Sequence, residues 1–206
     1  MNFDRIARSY EVLERLAFGR GLERCRTALL PRLTPPRRAL LIGEGDGRFL
    51  QDFLACFSDV EVDVVEPSRA MIGLAQRRVG SRSNVRFHPD SILEADLTGP
   101  YDLVVTHFVL DVFTPAEVDA IARRVRSIAP QGKWLISEFH VCKTSAFSRA
   151  ASRACIAAMY AFFKLATGVE ASEVPDFALV LEKHGFVRLL QHRSWGGFMV
   201  SELWTV

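Results

Sequence analysis

Three glycines at alternate positions, Gly43, Gly45 and Gly47, constrain this chain more than any other feature of its sequence. They follow the short apolar run 39–42, which predicts a buried strand, and they lead directly into an amphipathic helical pattern. Glycine is needed where the backbone turns tightly and approaches a ligand without a Cβ in the way. The helix that follows presents unpaired N–H groups and the positive end of its dipole to the same turn. The pattern therefore predicts a loop that binds a nucleotide-type cofactor.

Beyond this loop, predicted strands alternate with predicted helices. The later strands are expected over residues 61–66, 84–88, 101–106, 133–139, 186–192 and 198–204. Thr114 and Pro115 predict the N-cap and first residue of one helix, and Pro31 predicts the end of an earlier one. Repeated strand–helix units require a parallel sheet with helices on both faces. We therefore predict an α/β fold: a doubly wound, Rossmann-like sheet of seven strands, mostly parallel, with a C-terminal antiparallel hairpin.

The length of 206 residues predicts a single domain, since no linker or repeat divides the chain. Its expected parts are an N-terminal helical arm or lid (1–38), a cofactor-binding core (39–140), a helical insertion on the substrate side (145–185) and the terminal hairpin (186–206).

Charge and cysteine content exclude several classes of protein. A net charge of +2 argues against a dedicated nucleic-acid binder, although nine arginines and four acids in residues 1–38 leave an RNA or protein partner open. The four cysteines have no metal-binding spacing, so we predict no metal site and reduced thiols in the cytoplasm. The first residues lack a secretory apolar region, and the uncharged stretch 154–163 is too short for a bilayer span. The sequence does not indicate an oligomeric state.

The glycine spacing identifies a candidate family. Gly43-x-Gly45-x-Gly47 is one residue tighter than the G-x-G-x-x-G dinucleotide fingerprint and resembles the G-x-G-x-G loop of class I S-adenosylmethionine-dependent methyltransferases. Residues 101–111 are similar to the fourth-strand motif that leads into the methyl-transfer site of that family, and the terminal hairpin is a further shared feature. The resemblance extends over essentially the whole chain and implies S-adenosylmethionine as the cofactor.

The same resemblance implies roles for residues that follow the second and third strands. Glu66, nineteen residues after Gly47, would accept the ribose hydroxyls, and Met71 would pack against the adenine. Asp90 would meet the adenine amino group, and Ile92 would cover the ring. The predicted cofactor-binding residues are Tyr10, Gly43, Glu44, Gly45, Gly47, Glu66, Pro67, Ser68, Met71, Asp90, Ser91, Ile92, His107 and Phe108.

One position departs from the family pattern. The family usually carries an acid two residues before the first glycine, where it anchors the methionine end of the cofactor, and here that residue is Leu41. Either Glu44, Asp46 or the N-terminal arm takes over this role, or the cofactor binds less tightly.

Candidate catalytic residues lie after the fourth strand. His107 would be close to the transferred methyl group and is the candidate general base, with Asp111 one helical turn further on. His107 could equally pack against the methionine arm, and His140 is a second candidate base. The predicted substrate-side residues, Phe18, His140, Met159, Tyr160, Phe163 and Trp195, together with Tyr10, suit a lid over an apolar or aromatic small molecule.

We therefore predict an S-adenosylmethionine-dependent methyltransferase that acts on a small, apolar or aromatic acceptor. One alternative is a non-catalytic protein that binds the same cofactor, which Leu41 would favour. Another is a nicotinamide-dependent oxidoreductase, since Tyr160 and Lys164 match the Y-x-x-x-K pair of short-chain dehydrogenases. The spacing of the glycines disfavours that alternative, and the longer glycine loop of those enzymes is absent.

Overall fold

A computed structural model describes residues 18–141, 149–150, 152–157 and 176–206 of the chain. Its seven strands form one sheet in the order β3-β2-β1-β4-β5-β7-β6. The strands are β1 (Arg38–Ile42), β2 (Glu61–Val65), β3 (Val85–His88), β4 (Leu103–His107), β5 (Lys133–Phe139), β6 (Val187–Ser194) and β7 (Met199–Thr205). Strands β1 to β5 are parallel, and β7 pairs antiparallel with both β5 and β6. This topology confirms the predicted fold class.

The helices lie on both faces of the sheet. They are α1 (Gly21–Thr27), α2 (Arg48–Cys56), α3 (Arg69–Val79), α4 (Pro115–Ile128) and α5 (Phe177–Lys183), with 3₁₀ turns at Leu30–Arg32, Leu110–Val112 and Trp195–Gly197. None of the helices in the described ranges has the length and apolarity needed to cross a membrane.

The first strand is apolar throughout because both of its faces are covered. Leu40 and Ile42 join the core cluster under α4 and α5, whereas Ala39 and Leu41 join the cluster under α2. A strand that is buried on both faces reads as a continuous apolar run, which is the pattern seen in the sequence before Gly43.

Local sequence signals set several element boundaries. Thr114 Oγ1 accepts a hydrogen bond from Glu117 N at 3.3 Å, and the Glu117 side chain accepts one from Thr114 N at 2.8 Å, so α4 begins with a capping box. Gly185, with φ of +79°, follows the end of α5, where a glycine commonly terminates a helix. The prediction for Pro31 was wrong by one turn: α1 already ends at Thr27, and Pro31 lies at the start of a 3₁₀ turn, where its missing N–H is not required.

Candidate functional site

The candidate site lies at the carboxyl edge of the parallel strands, where the sheet order changes direction. Chain order runs from β1 outward to β2 and β3 on one side, and from β4 outward to β5 on the other. Ligands of open α/β sheets bind at such a switch point. Two segments meet here: residues 43–47, which we call the cofactor loop, and residues 108–112, which we call the acceptor turn.

All three glycines of the cofactor loop are in the left-handed region, with φ of +67° at Gly43, +69° at Gly45 and +84° at Gly47. A Cβ at Gly43 would lie 2.4 Å from Val109 Cγ2, and one at Gly47 would lie 2.6 Å from Ala75 Cα. A Cβ at Gly45 would meet no atom of the described residues within 4 Å. Two of the glycines are therefore required for packing, whereas the third borders open space that can hold a ligand.

Glu66 connects the cofactor loop to the start of α3. Its side chain is buried, and Oε2 accepts a hydrogen bond from Gly45 N at 3.1 Å, while Oε1 accepts one from Ser68 N at 2.9 Å. Ser68 is the N-cap of α3, and its Oγ accepts a hydrogen bond from Met71 N. A carboxylate offers about four acceptor positions, so Glu66 can accept hydrogen bonds from several donors at once.

Two acids of the cofactor loop, Glu44 and Asp46, could compensate for Leu41, and their hydrogen-bond partners differ. Leu41 is 1% exposed and packs in the apolar cluster with Phe49. Asp46 forms ion pairs with Arg48 at 3.0 Å and Arg78 at 3.1 Å.

Glu44 differs from Asp46, because its Oε1 accepts a hydrogen bond from Leu50 N at 2.7 Å in the first turn of α2. Burial raises the pKa of Glu44 to about 8, and the charge of Arg26 opposes this shift. Glu44 is therefore the acid of the cofactor loop that is not already committed to two arginines.

His107, the last residue of β4, is 8% exposed, and its ring lies edge-on to Phe49 with 4.3 Å between centroids. Neither ring nitrogen has a hydrogen-bond partner among the described residues. Burial, assisted by the charge of Arg26, lowers the pKa of His107 well below its ordinary value, so the imidazole is neutral at pH 7. Buried polar groups are normally satisfied, and this one is available to a ligand.

Asp111 is buried in the acceptor turn and lies near a second buried acid, Glu138 at the end of β5. Burial raises the pKa of Asp111 to about 7, and burial together with the Asp111 charge raises that of Glu138. Glu138 Oε1 accepts hydrogen bonds from Val109 N at 3.0 Å and Leu110 N at 2.8 Å. No hydrogen bond joins Asp111 to the ring nitrogens of His107, so these two candidate residues are not directly paired in the structure.

Aromatic side chains cluster at the ends of β4 and β5 and near the start of β7. The aromatic cluster consists of Phe18, Phe108, Phe139, Phe198 and Trp195. The Phe139 ring is central, with centroid distances of 4.8 Å to Phe108, 5.4 Å to Phe18 and 5.4 Å to Phe198. Trp195 extends the cluster through Phe18 at 6.1 Å and is 53% exposed. Phe139 and Phe198 are buried, so Phe18, Phe108 and Trp195 provide the accessible part of this apolar cluster at the strand ends.

The remaining predicted site residues differ in their exposure. Pro67 and Asp90 are exposed, Ser91 is half-buried, and Met71 is buried. Ile92 packs in the core cluster under α4. His140 is half-buried, and its backbone N–H donates a hydrogen bond to the Phe198 carbonyl oxygen at 2.8 Å. Tyr10, Met159, Tyr160, Phe163 and Lys164 lie outside the described residues.

Two residues near the site were not singled out from the sequence. Arg26 of α1 lies over the Phe108 ring, with its Cζ 5.5 Å from the centroid, and its charge acts on Glu44 and His107. Glu138 could have been noticed as an acid at the end of an otherwise apolar strand. Arg26 carried no such signal, because it is one of several arginines in the first 38 residues.

Comparison with known proteins agrees with this geometry. The family described as a methyltransferase domain matches residues 40–134, which run from β1 into β5. No curated protein sequence is significantly similar to the chain.

Solved structures share the fold at low sequence identity. The N-methyltransferase NodS from Bradyrhizobium japonicum WM9 superimposes with a TM-score of 0.65 and 15% identity, covering 89% of this chain and 96% of that one. The 1,6-didemethyltoxoflavin-N1-methyltransferase of Burkholderia thailandensis gives 0.63 and 17%, covering 97% and 87%. A putative O-methyltransferase from Nostoc punctiforme PCC 73102 gives 0.71 and 17% over 99% of this chain, which spans only 60% of that protein.

The matched segment belongs to the methyltransferase domain family, and the chain shares its fold with solved methyltransferases. The family match favours the predicted methyltransferase over the oxidoreductase alternative.

Proposed function

We propose that this methyltransferase acts on a small, flat, apolar or aromatic acceptor that lies against the aromatic cluster. The observation that carries the proposal is the cluster itself. Phe108 follows β4, the strand next to β1, and Phe139 ends β5, the strand beyond it, so the cluster lies beside the start of the cofactor loop. Aromatic rings prefer to pack against other rings in offset or edge-on arrangements. The Burkholderia relative is solved with a small heteroaromatic substrate, 1,6-didemethyltoxoflavin, which supports the same class of acceptor.

The residues around the cofactor loop fit S-adenosylmethionine. The open space at Gly45 admits a ligand against bare backbone, and the Glu66 carboxylate beside it can accept ribose hydroxyls. Met71, Asp90, Ser91 and Ile92 stay predictions for the adenine side. Bound S-adenosylmethionine supplies an electrophilic methyl group on a positively charged sulfur atom.

The chain contributes alignment, exclusion of water and, at His107, a place for a proton. Because the buried imidazole of His107 is neutral at pH 7, it can accept a proton from an acceptor at its unpartnered nitrogens. Its lowered pKa makes it a weak base, which suits phenols and other acceptors that need little assistance. Asp111 has no hydrogen bond to the His107 ring among the described residues, so its catalytic role stays a prediction.

A panel of acceptors tests this function. The protein is incubated with S-adenosylmethionine and with phenols, heteroaromatic amines, aliphatic alcohols or aliphatic amines, and the methylated product and S-adenosylhomocysteine are measured by mass spectrometry. We expect turnover of the aromatic acceptors alone. Methylation confined to aliphatic acceptors, or to added RNA or protein, would contradict the proposal.

We further propose that Glu44 takes the place of the family acid that Leu41 lacks, by pairing with the ammonium group of the cofactor. Since its pKa is raised to about 8, Glu44 is mostly protonated in the free protein at pH 7 and must release its proton to form this pair. The affinity for S-adenosylhomocysteine, which shares this group, should therefore fall as pH decreases below 8, by up to about tenfold per pH unit.

Calorimetry in buffers of different ionisation enthalpy measures this proton release directly. At pH 7 the wild-type protein should release close to one proton per ligand, whereas Glu44→Gln should release none and lose the pH dependence. Asp46→Asn is the matched control in the same loop, because the Asp46 carboxylate is already paired with two arginines. Its charge contributes to the raised pKa of Glu44 as a smaller cause than burial, so this variant should release slightly less than the wild type and far more than Glu44→Gln. Equal proton release by wild type and Glu44→Gln would exclude this role for Glu44.

A further inference from the structure

Glu138 is a buried acid whose role the proposed chemistry does not explain. It lies at the carboxyl end of β5 with a fully buried side chain. One of its oxygens, Oε1, accepts the N–H groups of both Val109 and Leu110. Its other oxygen, Oε2, has no hydrogen-bond partner among the described residues. Burying a carboxyl group costs free energy, so we expect Glu138 to have a specific role at this edge of the sheet.

Glu138 accepts hydrogen bonds from N–H groups of the acceptor turn. The conformation of this turn depends on contacts with neighbouring segments. The turn begins at Phe108, whose φ of +55° is unfavourable for a residue with a Cβ. Phe108 N donates to Ser137 O at 2.7 Å, so β5 holds the start of the turn through its backbone and the next two residues through the Glu138 side chain. Strained backbone persists only where its surroundings fix it in this way.

The same turn contacts the cofactor loop. The side chain of Val109 occupies the space that a Cβ at Gly43 would need, with Cγ2 at 2.4 Å from that position. A displacement of Val109 would therefore shift the cofactor loop on one side and the Phe108 ring on the other. Glu138 fixes Val109 at the junction between the two halves of the site.

We propose that Glu138 is a positioning residue, which holds the acceptor turn against the cofactor loop so that donor and acceptor are aligned. This inference rests on the proposed placement of cofactor and acceptor on either side of Val109. Glu138 acts through the backbone of the turn and touches neither ligand.

The ionisation state of Glu138 indicates which substitute would preserve its role. The described titratable groups that act on it or respond to it are Asp111 of the turn and Cys25 of α1. Burial and the neighbouring Asp111 charge both favour a protonated, neutral Glu138. Glutamine has the same length, is neutral and retains an oxygen acceptor, so it should support the turn as glutamic acid does. Leucine has a similar volume and offers no acceptor.

The test measures the affinity for S-adenosylhomocysteine by calorimetry and the hydrogen exchange of the Val109 and Leu110 amides. Glu138→Leu should lower the affinity by about tenfold or more, since it leaves two buried N–H groups without an acceptor, and should remove the exchange protection of both amides. Glu138→Gln should stay within about threefold of wild type and keep the protection. Glu138→Asp, which is one methylene too short to reach both amides, serves if the leucine variant does not fold, and it should lose affinity as well.

Glu202→Leu is the matched control, because it also removes a buried glutamate from the sheet. Glu202 bonds Arg188, Gln191 and Trp204 in the terminal hairpin. This control should reduce the melting temperature without a change in ligand affinity. If the wild-type protein does not bind S-adenosylhomocysteine, the proposed function is wrong and this inference falls with it. If wild type binds and the leucine and aspartate variants bind equally well, the role of Glu138 alone is overturned.

Discussion

Alanine at position 45 is expected to leave the protein folded and to abolish binding of S-adenosylhomocysteine. A Cβ at Gly45 meets no atom within 4 Å in the part of the chain that the structure describes, so Gly45→Ala creates no clash there. The left-handed backbone at φ of +69° costs an alanine about 1–2 kcal/mol, which corresponds to a decrease in melting temperature of about 2–8 °C for a chain of this size. The new methyl group would instead occupy the space into which the bare backbone admits a ligand. Calorimetric affinity should fall by about a hundredfold or more, since overlap with a tightly packed ligand is not relieved by small shifts.

Gly80→Ala provides the matched control for backbone strain. Gly80 has a φ of +72° and an equally open environment, but it lies at the C-cap of α3, at the opposite end of that helix from Ser68. It should lose more stability than Gly45→Ala, because its ψ of −173° lies in a region that only glycine favours, and its ligand affinity should be unchanged. Gly47→Ala should behave differently again, because its Cβ would lie 2.6 Å from Ala75 Cα and the protein would lose stability before any ligand is added. If Gly45→Ala binds the ligand as well as Gly80→Ala does, the cofactor loop is not the cofactor site.

Much of the fold could be predicted because its signals are local. The capping box at Thr114 and the glycine after α5 act within one helical turn. The apolar run before Gly43 and the alternating units of strand and helix restrict the topology to a parallel sheet with two covered faces. The glycine loop and Glu66 could be connected because each follows a strand, and the carboxyl ends of parallel strands meet at one edge.

Contacts between distant elements could not be predicted in this way. Asp63 lies inside β2, where a charge would be unfavourable, yet its carboxylate accepts from Arg38 at 2.8 Å, from Tyr101 at 2.9 Å and pairs with His88 at 2.8 Å. These partners come from three other parts of the chain. Their hydrogen bonds hold the pKa of Asp63 below its ordinary value despite burial.

The candidate catalytic residues His107 and Asp111 show a second limit of prediction from the sequence. His107 and Asp111 are four residues apart, which would place them on one face of a helix. The structure ends β4 at His107, and the left-handed backbone of Phe108 redirects the chain into a 3₁₀ turn. Asp111 therefore lies near Glu138, while the His107 ring packs against Phe49 of α2. Spacing predicts a shared face only where the backbone conformation is uniform, and this one is interrupted by a single residue.

Removal of the Glu66 carboxylate should produce the second large loss of affinity. In Glu66→Ala, the buried Gly45 N–H and Ser68 N–H both lose their acceptor, and the ligand loses the group that would accept its ribose hydroxyls. Hydrogen bonds to a charged group contribute about 1.5–3 kcal/mol, so calorimetry should show S-adenosylhomocysteine binding weakened by about 10- to 100-fold. The affinity of Glu66→Gln should fall between those of the wild type and Glu66→Ala. Its amide can accept a hydrogen bond from one of the two backbone N–H groups, but its NH₂ group faces the other.

Glu61→Ala is the matched control on the same strand, since Glu61 begins β2 at the opposite edge of the sheet and its ion pair with Arg86 is exposed. It should leave affinity and melting temperature nearly unchanged, because exposed ion pairs contribute little. The melting temperature also separates two roles of Glu66. If Glu66→Ala loses stability but binds the ligand as wild type does, Glu66 only supports the loop. A loss of affinity larger than the loss of stability, with Glu66→Gln intermediate, means that its carboxylate contacts the bound cofactor.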